Sequence, residues 1–87
     1  GDVFAARQGG EEFLVVIQGL EHDQALERMR SLCVAVAESR YDALPPCTVS
    51  IGLASWGPGQ DSARTLLAVA DRHLYRAKEQ GRNQVVG

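Results

Sequence analysis

Five consecutive apolar residues, Phe13-Leu14-Val15-Val16-Ile17, follow directly on Gly9-Gly10 and the acidic couple Glu11-Glu12. An unbroken apolar run of this length, rather than an alternating one, is the pattern of a strand covered on both faces. Upstream, Val3 to Arg7 reads as a short strand, its pattern weakened by Ala5-Ala6. Paired glycines accept positive φ without a side-chain penalty, so Gln8-Gly9-Gly10 predicts a turn and the whole segment a β-hairpin.

Gln18 to Glu21 connects this hairpin to a stretch of different period. From about Asp23, residues Ala25, Leu26, Met29, Leu32, Cys33, Val36 and Ala37 recur at helical spacing, with Glu27, Arg28, Arg30 and Glu38 opposite. Asp23 is the expected N-cap, and Pro45-Pro46 bars the helix from running on. Cys47 to Trp56 predicts a second buried strand, with Val49, Ile51 and Leu53 on one face and Thr48, Ser50, Gly52 and Ala54 on the other. Residues as small as these permit a closely packed helix. Gly57-Pro58-Gly59 ends that strand. Asp61 or Ser62 then caps a helix whose apolar face is Leu66, Leu67, Ala70, Leu74 and Ala77, with Tyr75 beside it. Gly81 is placed to stop it, and Gln84-Val85-Val86 forms a short final strand. The expected order is β-β-α-β-α-β, an α/β sheet covered by helices on at least one face.

The 87 residues suffice for one small domain. A formal net charge of -2 excludes a strongly basic domain held to nucleic acid by charge alone, and no nucleic acid partner is expected. No apolar run approaches the roughly 20 residues of a membrane helix, and no basic segment followed by an apolar one opens the chain. Cys33 and Cys47 make no disulfide framework and lack metal-ligand spacing. A cytoplasmic location is the default expectation. Neither end reads as a linker, which suggests a piece of a longer polypeptide.

Two polar features stand out. At Arg7-Gln8-Gly9-Gly10-Glu11-Glu12-Phe13, two carboxylates at a hairpin mouth can hold a hard cation such as Mg2+ or Mn2+. The neighbouring glycines let phosphate oxygens approach backbone N–H groups. Adjacent strand residues point to opposite faces, so both glutamates serve one site only if the turn breaks the alternation, or else they serve different roles. On local pattern alone, two solvated glutamates flanking a hairpin explain the segment better. At the other end, Lys78 and Arg82 lie four apart at the close of a helix and could grip a polyphosphate, Lys as a point charge and Arg as a fork. Cations also favour a helix C-terminus without any ligand. His22, His73, Cys33, Cys47 and Asp71 read as structural or solvated, and Trp56 and Tyr41 lack the basic interleaving of a base-stacking surface.

Arg7 to Phe13 resembles the signature hairpin of the GGDEF family, the bacterial diguanylate cyclases, in its Gly-Gly-Glu-Glu-Phe form. Thr48-Val49-Ser50-Ile51-Gly52-Leu53-Ala54 resembles that family's later central strand. Ala70-Asp71, Leu74-Tyr75, Ala77-Lys78 and Gly81-Arg82-Asn83 resemble its last helix and the turn after it. The three motifs are co-linear and span nearly the whole of residues 1–87, read as a partial GGDEF domain. The resemblance implies a palm-like, nucleotide cyclase-like α/β fold that joins two GTP molecules into cyclic di-GMP and releases pyrophosphate. It implies Glu11 and Glu12 as metal and catalytic carboxylates for Mg2+ or Mn2+. Gly9 and Gly10 would lie against the phosphates, with Lys78 and Arg82 on the β- and γ-phosphates. It further implies a second GGDEF domain facing the first in a homodimer, and an N-terminal regulatory domain in a parent protein that is itself either free or membrane-anchored.

The family domain normally begins earlier, with a first central strand bearing a metal-binding Asp and helices that recognise guanine. That strand lies between the strands at Phe13 to Ile17 and Cys47 to Trp56. The resemblance therefore implies a gap here, with backbone groups unpaired along it and a fragment inactive by itself. Many members also carry an inhibitory Arg-x-x-Asp five residues before the Gly-Gly. Val3 occupies that Asp position, and Asp2 reaches it only through a one-residue bulge. Asp2, Arg7, Arg28 and Arg30 make up the surface on which such a site would form. Gln8 stands where Tyr is usual, and His73 where Ala is. The alternatives are a catalytically silent GGDEF domain that acts as a GTP or cyclic di-GMP receptor or protein-interaction module, and an unrelated α/β domain with a Gly-Gly turn.

Overall fold

The computed structural model describes residues 2–18, 21–39, 47–56 and 62–87. Its elements are β1 (Asp2–Gly9), β2 (Glu12–Gln18), α1 (His22–Glu38), β3 (Ser50–Trp56), α2 (Ala63–Glu79) and β4 (Val85–Val86), the order expected from the sequence. The segments at Pro45-Pro46 and Gly57-Pro58-Gly59, Tyr41 and Asp61 lie outside the described residues. Among the described residues, no helix is long and apolar enough to cross a membrane.

The strands form one mixed sheet in the order β1-β2-β3-β4. β1 and β2 are antiparallel, while β2–β3 and β3–β4 are parallel. The apolar run does what its lack of alternation demands: Leu14, Val15, Val16 and Ile17 are all buried. Leu14 and Val16 pack with Ala54 under Leu66, Ala70 and Leu74 of α2. Val15 and Ile17 face the other way, clustering with Ile51, Leu53 and Val85 beneath Ala25 and Cys33 of α1. Ile17, Ile51, Leu53 and Leu66 are each less than 2% exposed. Burial of side chains this size stabilises by about 2 kcal/mol each.

The expected gap beside β2 does not exist. β2 and β3 pair directly in parallel along their whole length, from Glu12 opposite Ser50 to Gln18 opposite Trp56. An open seam would leave two rows of backbone N–H and C=O groups without partners, and closing it satisfies both rows at once. The pairing also aligns Leu14 with Gly52 and Val16 with Ala54, so one continuous apolar face meets α2.

Gly52 sets how closely that helix sits. A Cβ there would run into the Ala70 carbonyl oxygen and the Leu74 nitrogen, and would lie 2.8 Å from the Leu74 Cα. Helix backbone thus rests directly on strand backbone, which only a glycine allows. His73 tightens the same contact, its Nδ1 lying 2.7 Å from the Leu53 carbonyl oxygen.

Ser62 caps α2, its side chain accepting from the Thr65 N–H at 3.2 Å. Asp23 is not the cap of α1. That position falls to Glu21, whose side chain makes no capping bond, and Asp23 lies in the first turn, where its charge still meets the positive helix end. Gly81 ends α2 at φ +115°. The Arg82 N–H reaches back to the Ala77 carbonyl at 2.9 Å and the Gly81 N–H to that of Lys78 at 3.3 Å, the two bonds of a Schellman stop.

Candidate functional site

The hairpin turn is tighter and one residue later than the Gln8-Gly9-Gly10 expectation. β1 runs through Gly9, which pairs with Glu12, while Arg7 pairs with Phe13, so the register slips at Gln8. A bulge of this kind re-aims the strand end. Gly10 turns at φ +31°, and Arg7 Nε donates to its carbonyl at 2.9 Å, bracing the bend from outside. The Ser50 N–H donates to the Glu11 carbonyl at 2.9 Å, tying the turn to β3.

This geometry separates the two glutamates. Glu11 lies in the turn with an exposed side chain. Glu12 opens β2 on the face that α2 covers, in register with Ser50. Its Oε1 lies 3.3 Å from Lys78 Nζ and its Oε2 3.1 Å from Arg82 Nη1, so both oxygens are engaged. The hydrogen bond from Arg82 holds the Glu12 carboxyl below the usual carboxylate range. Partial desolvation pushes the other way, and the Lys78 bond and the two positive charges add to the lowering.

Arg82 owes its position to a backbone that its sequence does not advertise. It has φ 65° and Asn83 φ 52°, two consecutive non-glycine residues in the left-handed region. Such a conformation costs about 1–2 kcal/mol per residue for an ordinary side chain, so something must hold it. The Asn83 N–H donates to Ser50 Oγ at 3.2 Å, and the Gln84 side-chain amide donates to the Gln80 and Arg82 carbonyls at 3.0 and 3.2 Å. In the sequence Ser50, Asn83 and Gln84 belong to a strand face, a family motif and a final strand, and none of them reads as a residue that holds Arg82 in place. Their signal is a serine at a strand start and a polar pair after a stop glycine, neither distinctive until β3 and the turn meet.

The structure therefore brings Glu12, Lys78 and Arg82 together, with Glu11, Gly9 and Gly10 at the adjoining turn. The structure describes the side chains of three of the residues considered for an inhibitory surface. Arg7 braces the turn, Arg30 pairs with Glu27 along its own helix at 3.6 Å, and Arg28 is exposed on α1. His22 Nδ1 lies 2.8 Å from Ser55 Oγ, a helix-to-strand bond away from the ion cluster. Cys33 is buried, which pushes its thiol pKa up, whereas Cys47 is exposed.

Among the described residues, no group of three or more His, Cys, Asp or Glu side chains converges as a metal cage. The donors present are carboxylate oxygens, the right kind for a hard divalent cation but few. Magnesium is commonly held by one or two carboxylates, with substrate phosphates and water completing the shell. The residues thus fit a cation that arrives with phosphate better than a bare one, and the adjacent Lys78 and Arg82 are suited to the phosphate half.

Residues 1–84 match the family model described as diguanylate cyclase, GGDEF domain. Diguanylate cyclase DgcM of Escherichia coli K12 is 41% identical over 80 residues, covering 92% of this chain and 19% of that protein. Diguanylate cyclase A of Treponema denticola is 36% identical over 84 residues, 93% of this chain and 23% of that protein. The response regulator PleD of Caulobacter vibrioides is 34% identical over 86 residues, 93% and 19% respectively. The chain spans about a fifth of the length of these curated relatives. No solved structure matches it.

Proposed function

The chain belongs to the GGDEF domain family, and on that premise we propose that it forms the signature-hairpin half of a diguanylate cyclase domain, which condenses two GTP into cyclic di-GMP. The observation that carries this reading is the contact of Glu12 with both Lys78 and Arg82. It brings an acidic group suited to a cation within hydrogen-bond reach of two basic groups suited to a triphosphate.

In this reading Lys78 and Arg82 hold the β- and γ-phosphates, and Gly9 and Gly10 leave room for phosphate against the turn. Glu11 and Glu12 face the reacting end, where one of them accepts the proton of the ribose 3′-hydroxyl as that oxygen attacks the α-phosphorus. The bond to the bridging oxygen breaks and pyrophosphate leaves; a second condensation closes the ring. When bound, Mg2+ or Mn2+ supplies Lewis-acid polarisation of the phosphates. Each domain presents one GTP, so a second GGDEF domain must face the first. A regulatory domain joined to the N-terminal side would control that encounter.

The test is incubation of the full-length protein with GTP and Mg2+, followed by separation of the nucleotides. Formation of cyclic di-GMP with two pyrophosphates supports the cyclase. GTP binding without turnover marks a receptor domain instead, and absence of both overturns the nucleotide reading.

A further inference from the structure

We propose that the Glu12–Lys78–Arg82 cluster is an internal counterion lock that makes cation and polyphosphate binding mutually dependent. This inference rests on the nucleotide reading of the same site and adds a rule for what can enter it.

The lock follows from the pairing. Both carboxylate oxygens of Glu12 are taken, one by each cation, at 3.3 and 3.1 Å. Glu12 is the partner of both Lys78 and Arg82. A bare polyphosphate that draws on those cations competes with Glu12 for them and sits beside its negative charge, which is then less fully compensated. A bare divalent cation that captures Glu12 meets the mirror-image problem, two released positive charges next to it. A cation–polyphosphate complex avoids both: its metal replaces the cations at Glu12, and its phosphate oxygens replace Glu12 at the cations. Every broken charge-assisted bond is exchanged for another. The site therefore favours the complex over either component, with Glu12 acting as the phosphate's stand-in while the site is empty.

The cluster also spans the fold, joining the start of β2 to the end of α2 and the turn behind it. Exchange of partners opens that contact without moving the core, because α2 is held independently through Gly52 and His73.

The experiment measures binding of inorganic tripolyphosphate to the full chain by titration calorimetry at fixed ionic strength, with and without Mg2+. Glu12→Gln is expected to bind metal-free tripolyphosphate about tenfold more tightly than the parent, equivalent to about 1.4 kcal/mol, and to lose most of the gain from Mg2+. Glu79→Gln, which removes one exposed charge beside Lys78, controls for net charge. Equal gains from Glu12→Gln and Glu79→Gln overturn the lock, as does no gain from Glu12→Gln. Lys78→Met supplies the reciprocal arm should Glu12→Gln fail to fold: bare Mn2+, followed by electron paramagnetic resonance, must bind it more tightly than the parent, and unchanged or weaker binding also overturns the lock. A parent chain that binds Mg2+–GTP while neither variant gains affinity loses the lock and keeps the nucleotide site. Variants that gain as stated in a protein that never binds Mg2+–GTP keep the lock and lose the cyclase reading.

Discussion

The guanidinium of Arg82 meets the carboxylate of Glu12 at 3.1 Å across 70 positions of sequence. That contact requires three separate pieces of the fold to be correct: the slipped hairpin register that starts β2 at Glu12, the direct pairing of β2 with β3, and the left-handed turn after α2. A change in any one should be felt at the site, and each can be tested separately.

The carboxylate comes first. In the full-length protein, Glu12→Gln should lower the rate of cyclic di-GMP formation by at least about a hundredfold, the range typical of a lost catalytic carboxylate. The fold should survive, because Glu12 is half-buried at a strand end and belongs to neither apolar cluster. Turnover by product chromatography and circular dichroism of the same sample check both halves. Parental turnover in the variant would remove Glu12 from the chemistry.

Gly52→Ala tests the sheet-to-helix contact. The added methyl meets the backbone of Ala70 and Leu74, which cannot swing aside as a side chain can. Overpacking of this kind costs about 1–3 kcal/mol, and the backbone neighbours place this case at about 3. The midpoint of urea unfolding should fall accordingly, and an unchanged midpoint would mean that α2 sits farther from β3 than described.

These tests also mark where local pattern stops being informative. Residues 14–17 of the apolar run and the small face of β3 announced their burial, because burial on two faces and close helix approach leave a mark on each residue type. Gly81 announced its stop for the same reason. The β2–β3 seam left no such mark: either strand would look the same beside a different neighbour. Arg82 is harder still, since nothing in an arginine favours positive φ, and its conformation is imposed by Asn83 on Ser50 and by Gln84 on the helix end. Of the site, the residue types were legible; that Glu12 rather than Glu11 makes the ion pairs depends on which face of β2 meets α2, the face Glu12 shares with Leu14 and Val16.

The left-handed turn yields a comparison of two substitutions. Arg82→Ala and Arg82→Gly both remove the guanidinium from Glu12, but only glycine is at ease at φ 65°. The glycine variant should therefore be the more stable of the pair by about 1 kcal/mol, while both lose polyphosphate affinity alike. Parallel urea titrations decide it. Equal stabilities, or a more stable alanine variant, would show that position 82 carries no left-handed strain.

Acid titration gives the last prediction. The folded Glu12 carboxyl is held below its ordinary value of 4.5, first by the Arg82 hydrogen bond. In the unfolded chain the group takes up its proton at the ordinary value, so between the two values the unfolded state binds more protons and stability falls as pH drops. The contribution is complete above about pH 4.5 and disappears as pH falls through the lowered folded value. Glu12→Gln has no proton to take up, so the difference in unfolding free energy between parent and variant should shrink in that acid window and stay flat from pH 6 to 8. Because Arg82 is exposed and Glu12 and Lys78 are partly so, the same difference should also narrow with added salt. Urea unfolding of both proteins across pH 3 to 8, at low and high salt, measures it; a difference independent of pH would mean that Lys78 and Arg82 do not stabilise the Glu12 carboxylate in solution.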